Sequence, residues 1–471
     1  MKRTIAFLLF VILLASCSPR AITSTIAPAE TAVTTATIEP TITPTSIPTI
    51  QVDGLNIPDP RITNPEMFDL SNPDAPIPQF VSAMKLAGIE LSGQQIVDAF
   101  NNANNFQIKN DASGKHYTEF AYTIDRNGAS YSMGFTYDEK GGWQETTLRE
   151  LAAIDNIEIG TLITKLDSIP DLSDEELERL NSSQFNLGLI SLYWPGMEEQ
   201  QNIIDASSRI DAANFGTQNS MDTIGYLLIW GKDIPTWLRT GNFSRDEIIK
   251  IMQARIKNTI ELMAKQGVYS FAIVNEAGSG DDYFMKEIGK DYIDIAFQAA
   301  RDTGKELGVP LTLIYNDYSN DTPSGSRTEI TQEIVNDLKG KGLIDAIGLE
   351  MIVSYPENPS EAEMIQTMQA YGLPVIITEA AVNMGNFNGD ATEKSIAQSQ
   401  IYQNIFGAAI KSGVCSKIIV FTSIDEISPW VTETTLDGYS LNNAPSLFYL
   451  NNRIITTKPA YYAVLQALME K

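Results

Sequence analysis

From Leu148 onward, short apolar runs rich in β-branched residues alternate with stretches whose apolar positions recur at helical spacing. The runs have the length of buried strands, and the stretches between them have the length of helices. Strands are expected at Ile157 to Ile163, Phe185 to Leu192, Thr223 to Trp230, Tyr269 to Asn275, Leu311 to Tyr315, Ala346 to Ile352, Val375 to Thr378 and Lys417 to Thr422. Helices are expected at 174–181, 204–219, 245–266, 291–305, 329–338, 361–371, 393–412 and 459–470. Eight strands, each followed by a helix, predict an α/β fold of the (β/α)8 TIM-barrel type. A doubly wound sheet is the alternative, but the first strand region, IGTLITKLDS, carries no glycine-rich turn.

Upstream of Leu148 the pattern changes. Ala21 to about Ile57 is Thr, Pro, Ser, Ala and Ile with almost no charge and no period that could bury a face, which predicts an extended tether. The next segment offers an amphipathic helix near Gln94 to Asn102. It then shows two alternating stretches, FAYTID and SYSMGFTYD, around a hairpin signal at Asn127-Gly128. At the start of the chain, Lys2 and Arg3 precede an apolar run from Ile5 to Ala15, the layout of a secretory signal. That run ends in Leu14-Ala15-Ser16-Cys17, which resembles the lipobox of bacterial lipoproteins. The expected division is a lipoprotein signal peptide at 1–17, a Thr/Pro-rich tether at 18–60, a small α+β extension at 61–146 and the barrel at 147–471. Cys17 would be the lipid anchor, and the protein would be exported and held at the bacterial cell surface or envelope.

Composition narrows the functions. A chain of 471 residues with 43% hydrophobic content can bury a large core. Its net charge of −26 argues against a nucleic-acid partner, which needs a clustered basic footprint. Cys17 and Cys415 are the two cysteines, so Cys415 is expected to be a buried apolar filler. With His116 as the single histidine, a His-rich zinc site is ruled out. No metal and no cofactor are expected.

The chemistry points to strand ends. In a barrel of this kind the active site lies at the C-terminal ends of the strands. Glu276, in VNEAGSG, closes the fourth strand, and Glu379, in ITEAAVNM, closes the seventh. Asn316, Asp317 and Tyr318 close the fifth, Glu350 lies late in the sixth, and Asp425 follows the eighth; all are expected to face one mouth. A pair of carboxyl groups across such a mouth suits glycoside hydrolysis with retention, one as proton donor and one as nucleophile. The other reading of either glutamate is an ion pair at the barrel rim.

These motifs carry a resemblance. LRELA, IEIGT, IWGKDIPTWL, IVNEA, IYNDYS, IDAIGLE, IITEA and KPAYYA occur in the order and spacing of glycoside hydrolase family 10, the endo-xylanase family, over about two thirds of the chain. The resemblance implies a (β/α)8 barrel, a retaining mechanism without a cofactor, Glu276 as acid/base, Glu379 as nucleophile and Asn275 as a contact to the sugar 2-hydroxyl. This chain also departs from the family. Tyr226 and Gly231 stand where the family usually has histidine, and Glu350-Met351-Ile352 replaces a Gln-Ser-His that supplies the histidine orienting the nucleophile. Ala380-Ala381 replaces Leu-Asp, and Phe421 replaces a tryptophan. Pyranose faces stack on indole rings, so Trp230 and Trp430 are the expected sugar platforms among the tryptophans. With Asn275, Asn316, Tyr318 and Glu350 they make up the expected substrate-binding set.

The expected function is a retaining endo-glycosidase acting on a β-1,4-linked, xylan-type plant polysaccharide, in a monomeric lipoprotein. Two alternatives stay open: a glycosidase for another β-glycan or oligosaccharide, and a carbohydrate-binding lipoprotein with weakened catalysis.

Overall fold

The computed structural model of the protein describes residues 48–163, 172–429, 444–451 and 453–470. Cys17, the signal, most of the tether and Trp430 lie outside the described residues.

The eight apolar runs form the strands β1 (Glu158–Leu162), β2 (Leu187–Ser191), β3 (Asp222–Tyr226), β4 (Ser270–Asn275), β5 (Thr312–Tyr318), β6 (Ala346–Glu350), β7 (Val375–Asn383) and β8 (Cys415–Val420). Each pairs in parallel with the next, and β8 pairs with β1, so the sheet closes into the expected barrel. The expected helices form as α1 (Asp174–Gln184), α2 (Ser207–Gln218), α3 (Arg245–Ala264), α4 (Tyr292–Leu307), α5 (Ser326–Gly340), α6 (Glu361–Ala370), α7 (Ala391–Ser412) and α8 (Pro459–Met469), with shorter helices at Leu148–Asp155, Thr236–Thr240 and Tyr283–Glu287. Their starts follow local chemistry. Ser173, Ser244, Ser360 and Asp390 cap the first turns of α1, α3, α6 and α7, each in a reciprocal box with the glutamate three residues on.

Leu187, Leu189, Ile224, Ala272, Ile314, Ala346, Ile376 and Ile419 fill the barrel interior, so its lower part is a packed core. β5 runs on to Tyr318 and β7 to Asn383, beyond their expected ends, because the polar residues at the mouth still pair: Asn316, Asp317 and Tyr318 lie opposite Gly348, Leu349 and Glu350. The run expected as one strand to Trp230 is split. β3 stops at Tyr226, and Ile229–Trp230 pairs separately with Val274 and Asn275.

Upstream, helices at Pro76–Leu86 and Gly93–Ala99 lie beside an antiparallel sheet of Phe106–Asn110, His116–Arg126, Ala129–Asp138 and Gly142–Glu145. The Asn127-Gly128 turn joins the second and third strands. One part of the expected tether is corrected: Thr49–Val52 and Leu55–Pro58 form a hairpin, with Val52 and Ile57 buried. Asp53 and Gly54 both have positive φ (45° and 84°), the requirement of a two-residue hairpin turn, and that dipeptide is the signal in the sequence. The extension packs on α8, where Phe80 and Tyr462 rings meet edge to face at 4.7 Å and Lys109 Nζ donates to Met469 O at 3.1 Å. Residues 47–471 form one compact unit. Among the described residues no helix is long and apolar enough to cross a membrane.

Candidate active site

Alternation along the strands builds the mouth. Side chains two apart share a face, so the interior layer of Ile224, Ile314, Ala346 and Ile376 is followed, two residues on, by Tyr226, Asn316, Gly348 and Thr378. The next inward position on β6 is Glu350. Asp317 faces the other way, fully buried against α5. There it accepts from Arg327 Nε at 2.7 Å, Thr331 Oγ1 at 2.7 Å and Tyr315 OH at 2.8 Å. Its expected place at the mouth is therefore corrected. Asp425 is corrected likewise: it is fully buried in an ion pair with Lys458, just before α8.

Both glutamates sit where their strands lose regularity. The β4–β5 register shifts between Ala272 and Val274, and Glu276 itself has φ of 48°, a left-handed conformation uncommon for glutamate. The β7–β8 register shifts between Ile377 and Ala380, around Glu379. Such irregularities re-aim side chains at active sites.

Asn316 ties the two positions together. Its carbonyl accepts from Glu276 N at 3.0 Å. Its Nδ2 lies 2.7 Å from Asn275 Oδ1, 2.8 Å from Glu350 Oε1 and 2.9 Å from Tyr226 OH, and its Oδ1 accepts from Thr378 Oγ1 at 2.6 Å. Asn316 has no exposed surface, so it sits beneath the floor and not at a surface a sugar could touch. Its close approach to β6 depends on Gly348, where an added Cβ would lie 2.2 Å from Asn316 Oδ1.

Tyr226 OH donates to Glu379 Oε1 at 2.5 Å. Burial pushes the Glu379 carboxyl up to about 7; the Tyr226 bond opposes that shift, and the charge of Glu276 adds to it. Glu350 is pushed well above the usual carboxylate range, first by burial and then by the charges of Glu379 and Glu276. On the other side of the mouth, Glu276 Oε2 pairs with Lys232 Nζ and accepts from Trp230 Nε1 at 3.1 Å, while Ser279 Oγ donates to the Glu276 carbonyl at 2.6 Å. Tyr318 lies between two cations, with Lys232 Nζ 4.8 Å and Arg327 Cζ 4.9 Å from its ring centre.

The structure thus brings together Glu276, Glu379, Asn275, Glu350 and Trp230, with Tyr318 beside them and Asn316 beneath. Trp430 lies outside the described residues. Lys232, Ser279 and Thr378 complete the site without having been singled out in the sequence. Lys232 follows Gly231 within IWGKD, and its nearness to Glu276 depends on the pairing of Trp230 with Asn275. Gly231 also has a structural reason: a Cβ there would lie 1.9 Å from Asp282 Oδ1. Asp282 is itself fixed by Gly278 N at 2.8 Å, Met285 N at 3.1 Å and Tyr292 OH at 2.8 Å. Among the described residues no group of three or more His, Cys, Asp or Glu could hold a metal ion.

Comparison with known proteins gives this geometry a context. The family profile described as "Glycosyl hydrolase family 10" matches residues 147–467. Endo-1,4-beta-xylanase B of Thermotoga neapolitana is 26% identical over 343 residues, covering 70% of this chain and 94% of the relative. A thermostable celloxylanase of Thermoclostridium stercorarium is 28% identical over 284 residues, covering 53% of this chain and 70% of the relative. In fold, the chain is similar to xylanase 10B of Thermotoga petrophila RKU-1, solved in complex with xylobiose, with a TM-score of 0.62 and 24% identity over 70% of this chain and 99% of that one.

Proposed function

The chain belongs to glycosyl hydrolase family 10 and is a glycoside hydrolase, and on that premise we propose that it is a retaining endo-glycosidase in which Glu379 is the nucleophile and Glu276 the acid/base. The observation that carries this reading is the single network through Asn316, which holds the Glu276 backbone with its carbonyl and reaches Glu379 through Tyr226. Two carboxyl groups, one closing β4 and one on β7, at one mouth support the pair of roles that glycoside hydrolysis needs.

In the first step the ionised Glu379 attacks the anomeric carbon, the glycosidic C–O bond breaks, and Glu276 gives its proton to the leaving oxygen. A glycosyl ester on Glu379 results. In the second step Glu276 takes a proton from water, the water oxygen attacks the same carbon, and Glu379 leaves as a carboxylate. Two inversions retain the configuration. In the resting site Lys232 pairs with Glu276, so the acid step requires Glu276 to exchange that ammonium for a proton.

The substrate proposed is β-1,4-linked xylan, because the relatives compared above are named for endo-1,4-beta-xylanase and celloxylanase activity. Asn275, Trp230, Tyr318 and Glu350 line the mouth and are the proposed sugar contacts; Trp430 is proposed as a further platform. A second reading, another β-glycan, is favoured by the Gly231 strand end, where Asp282 occupies the space next to the backbone. The full-length chain incubated with a panel of β-glycans should release new reducing ends from xylan. Release from a different β-glycan only would establish the second reading, and binding to glycans with no cleavage of any would overturn both. Export and lipid anchoring through Cys17 are proposed from the leader alone.

A further inference from the structure

We propose that Tyr226 is the positioning residue of the nucleophile: its phenol O–H, directed at Glu379 Oε1 over 2.5 Å, holds that carboxylate so that Oε2 forms the bond to the sugar. The inference rests on the reading of Glu379 as nucleophile.

The direction of each hydrogen bond follows from the chemistry of the groups. With the Asn316 amide oxygen facing Thr378, Oδ1 can only accept, so Thr378 Oγ1 donates to it. Nδ2 is then turned towards Tyr226 OH, Asn275 Oδ1 and Glu350 Oε1. Nδ2 has two protons to share among these three acceptors, and because the ionised Glu379 can only accept, the single proton of the phenol is committed to Glu379 Oε1. Tyr226 is buried on the inward face of β3, packed on the interior apolar layer, so the ring has little freedom to leave.

The surroundings of Glu379 explain why such a donor matters. Ile352 lies on a short strand (Ile352–Ser354) pairing with β7, its partner in register being Ala381. Both are apolar and offer no side-chain hydrogen bond. The titratable groups facing Glu379 and Tyr226 are Glu276 beyond β4, with Lys232 on it, and Glu350 on β6. Asp317, on the outer face of β5, adds its charge at Glu350. Burial disfavours ionisation of Glu379 and the Glu276 charge adds to it; the Tyr226 bond opposes both. The same bond also assists departure of Glu379 in the second step, when negative charge returns to its oxygens.

The test is Tyr226→Phe in the full-length chain, with kcat and kcat/KM on xylan followed across pH and the glycosyl ester followed by intact mass during turnover. Loss of one hydrogen bond to a charged group should lower kcat roughly tenfold or more and move the acid limb up by about one pH unit. The ester should accumulate to a larger fraction of the enzyme. A residue that only packs would leave the acid limb where it is, so an unmoved limb with unchanged kcat overturns the proposal. Fluorotyrosine at position 226, of nearly the same size and a stronger donor, should move the limb down; no movement there also overturns it. If Glu379→Gln is inactive while both Tyr226 variants behave as wild type, this inference alone fails. If Glu379→Gln stays active, the reading beneath it fails.

Discussion

Glu276, Glu350 and Glu379 share the mouth with Lys232, and their protonation governs what the site can do. An ordinary glutamate carboxyl sits near 4.5, and burial pushes that of Glu379 up to about 7. As nucleophile it must be ionised, so kcat/KM should climb as pH rises through about 7, which a pH–rate profile reads directly. The same shift is a stability statement. Between about 4.5 and 7 the folded chain keeps a proton that the unfolded chain has lost, so this residue's contribution to stability falls as pH rises through that window. Glu379→Gln removes the charge and should make the protein more stable than wild type at pH 8, by up to about 3 kcal/mol, while abolishing turnover. Thermal unfolding at pH 5 and pH 8 checks the sign, since the gain should be confined to the higher pH. Gly231 makes a different case. A methyl group there meets Asp282 Oδ1 at 1.9 Å, and Asp282 is held by its partners from the following loop and α4, so Gly231→Ala should cost about 1–3 kcal/mol and lower the melting temperature. At this scale the two catalytic candidates were legible, because a carboxylate ending an apolar run is rare without a purpose. Tyr226 was legible only as a departure from a family pattern, since its partner lies 153 residues away on β7.

Elements decide which side chains meet. The eight strands and eight helices could be read from the alternation of apolar runs and amphipathic stretches, because a parallel barrel buries its strands on both faces. The irregularities could not. The shifts at Ala272/Val274 and Ile377/Ala380 arise from pairing with neighbours, and they decide how Glu276 and Glu379 are aimed. Asp317 and Asp425 were misplaced for a related reason. Sequence position puts them at strand ends, but strand alternation turns Asp317 outward and Lys458 draws Asp425 into the core. The Asp317–Arg327 pair has a mechanical role, since Arg327 Nη1 also donates to Ala277 O at 2.9 Å and so links α5 to the loop that carries Glu276. Arg327→Met leaves Asp317 buried without its cation. It should destabilise the protein by about 3–5 kcal/mol. Chemical denaturation measures that cost, and any variant that remains folded should show a lower kcat, because the loop after β4 has lost its anchor.

On the scale of the whole molecule the extension and the barrel are one folded unit. Phe80, Tyr131 and Met133 lie in the same apolar core as Tyr462, Leu465 and Met469 of α8, which is buried along its whole length. A chain beginning at residue 147 would expose that face of α8, and it should aggregate or melt well below the full-length protein, as scattering and thermal unfolding would show. The sequence announced strands and a hairpin here but not this packing, because the apolar face of α8 reads the same whether it covers a barrel or is itself covered. The leader makes a separate proposal at this scale: Cys17→Ala should move the protein from the membrane fraction to the soluble exported fraction. The central claim is double displacement at Glu276 and Glu379, and the most direct test is the anomeric configuration of the first product, followed by proton NMR from the moment the full-length chain meets xylan. The account predicts that the β-anomer of the new reducing end appears first and the α-anomer only later, by mutarotation; the α-anomer appearing first would contradict it.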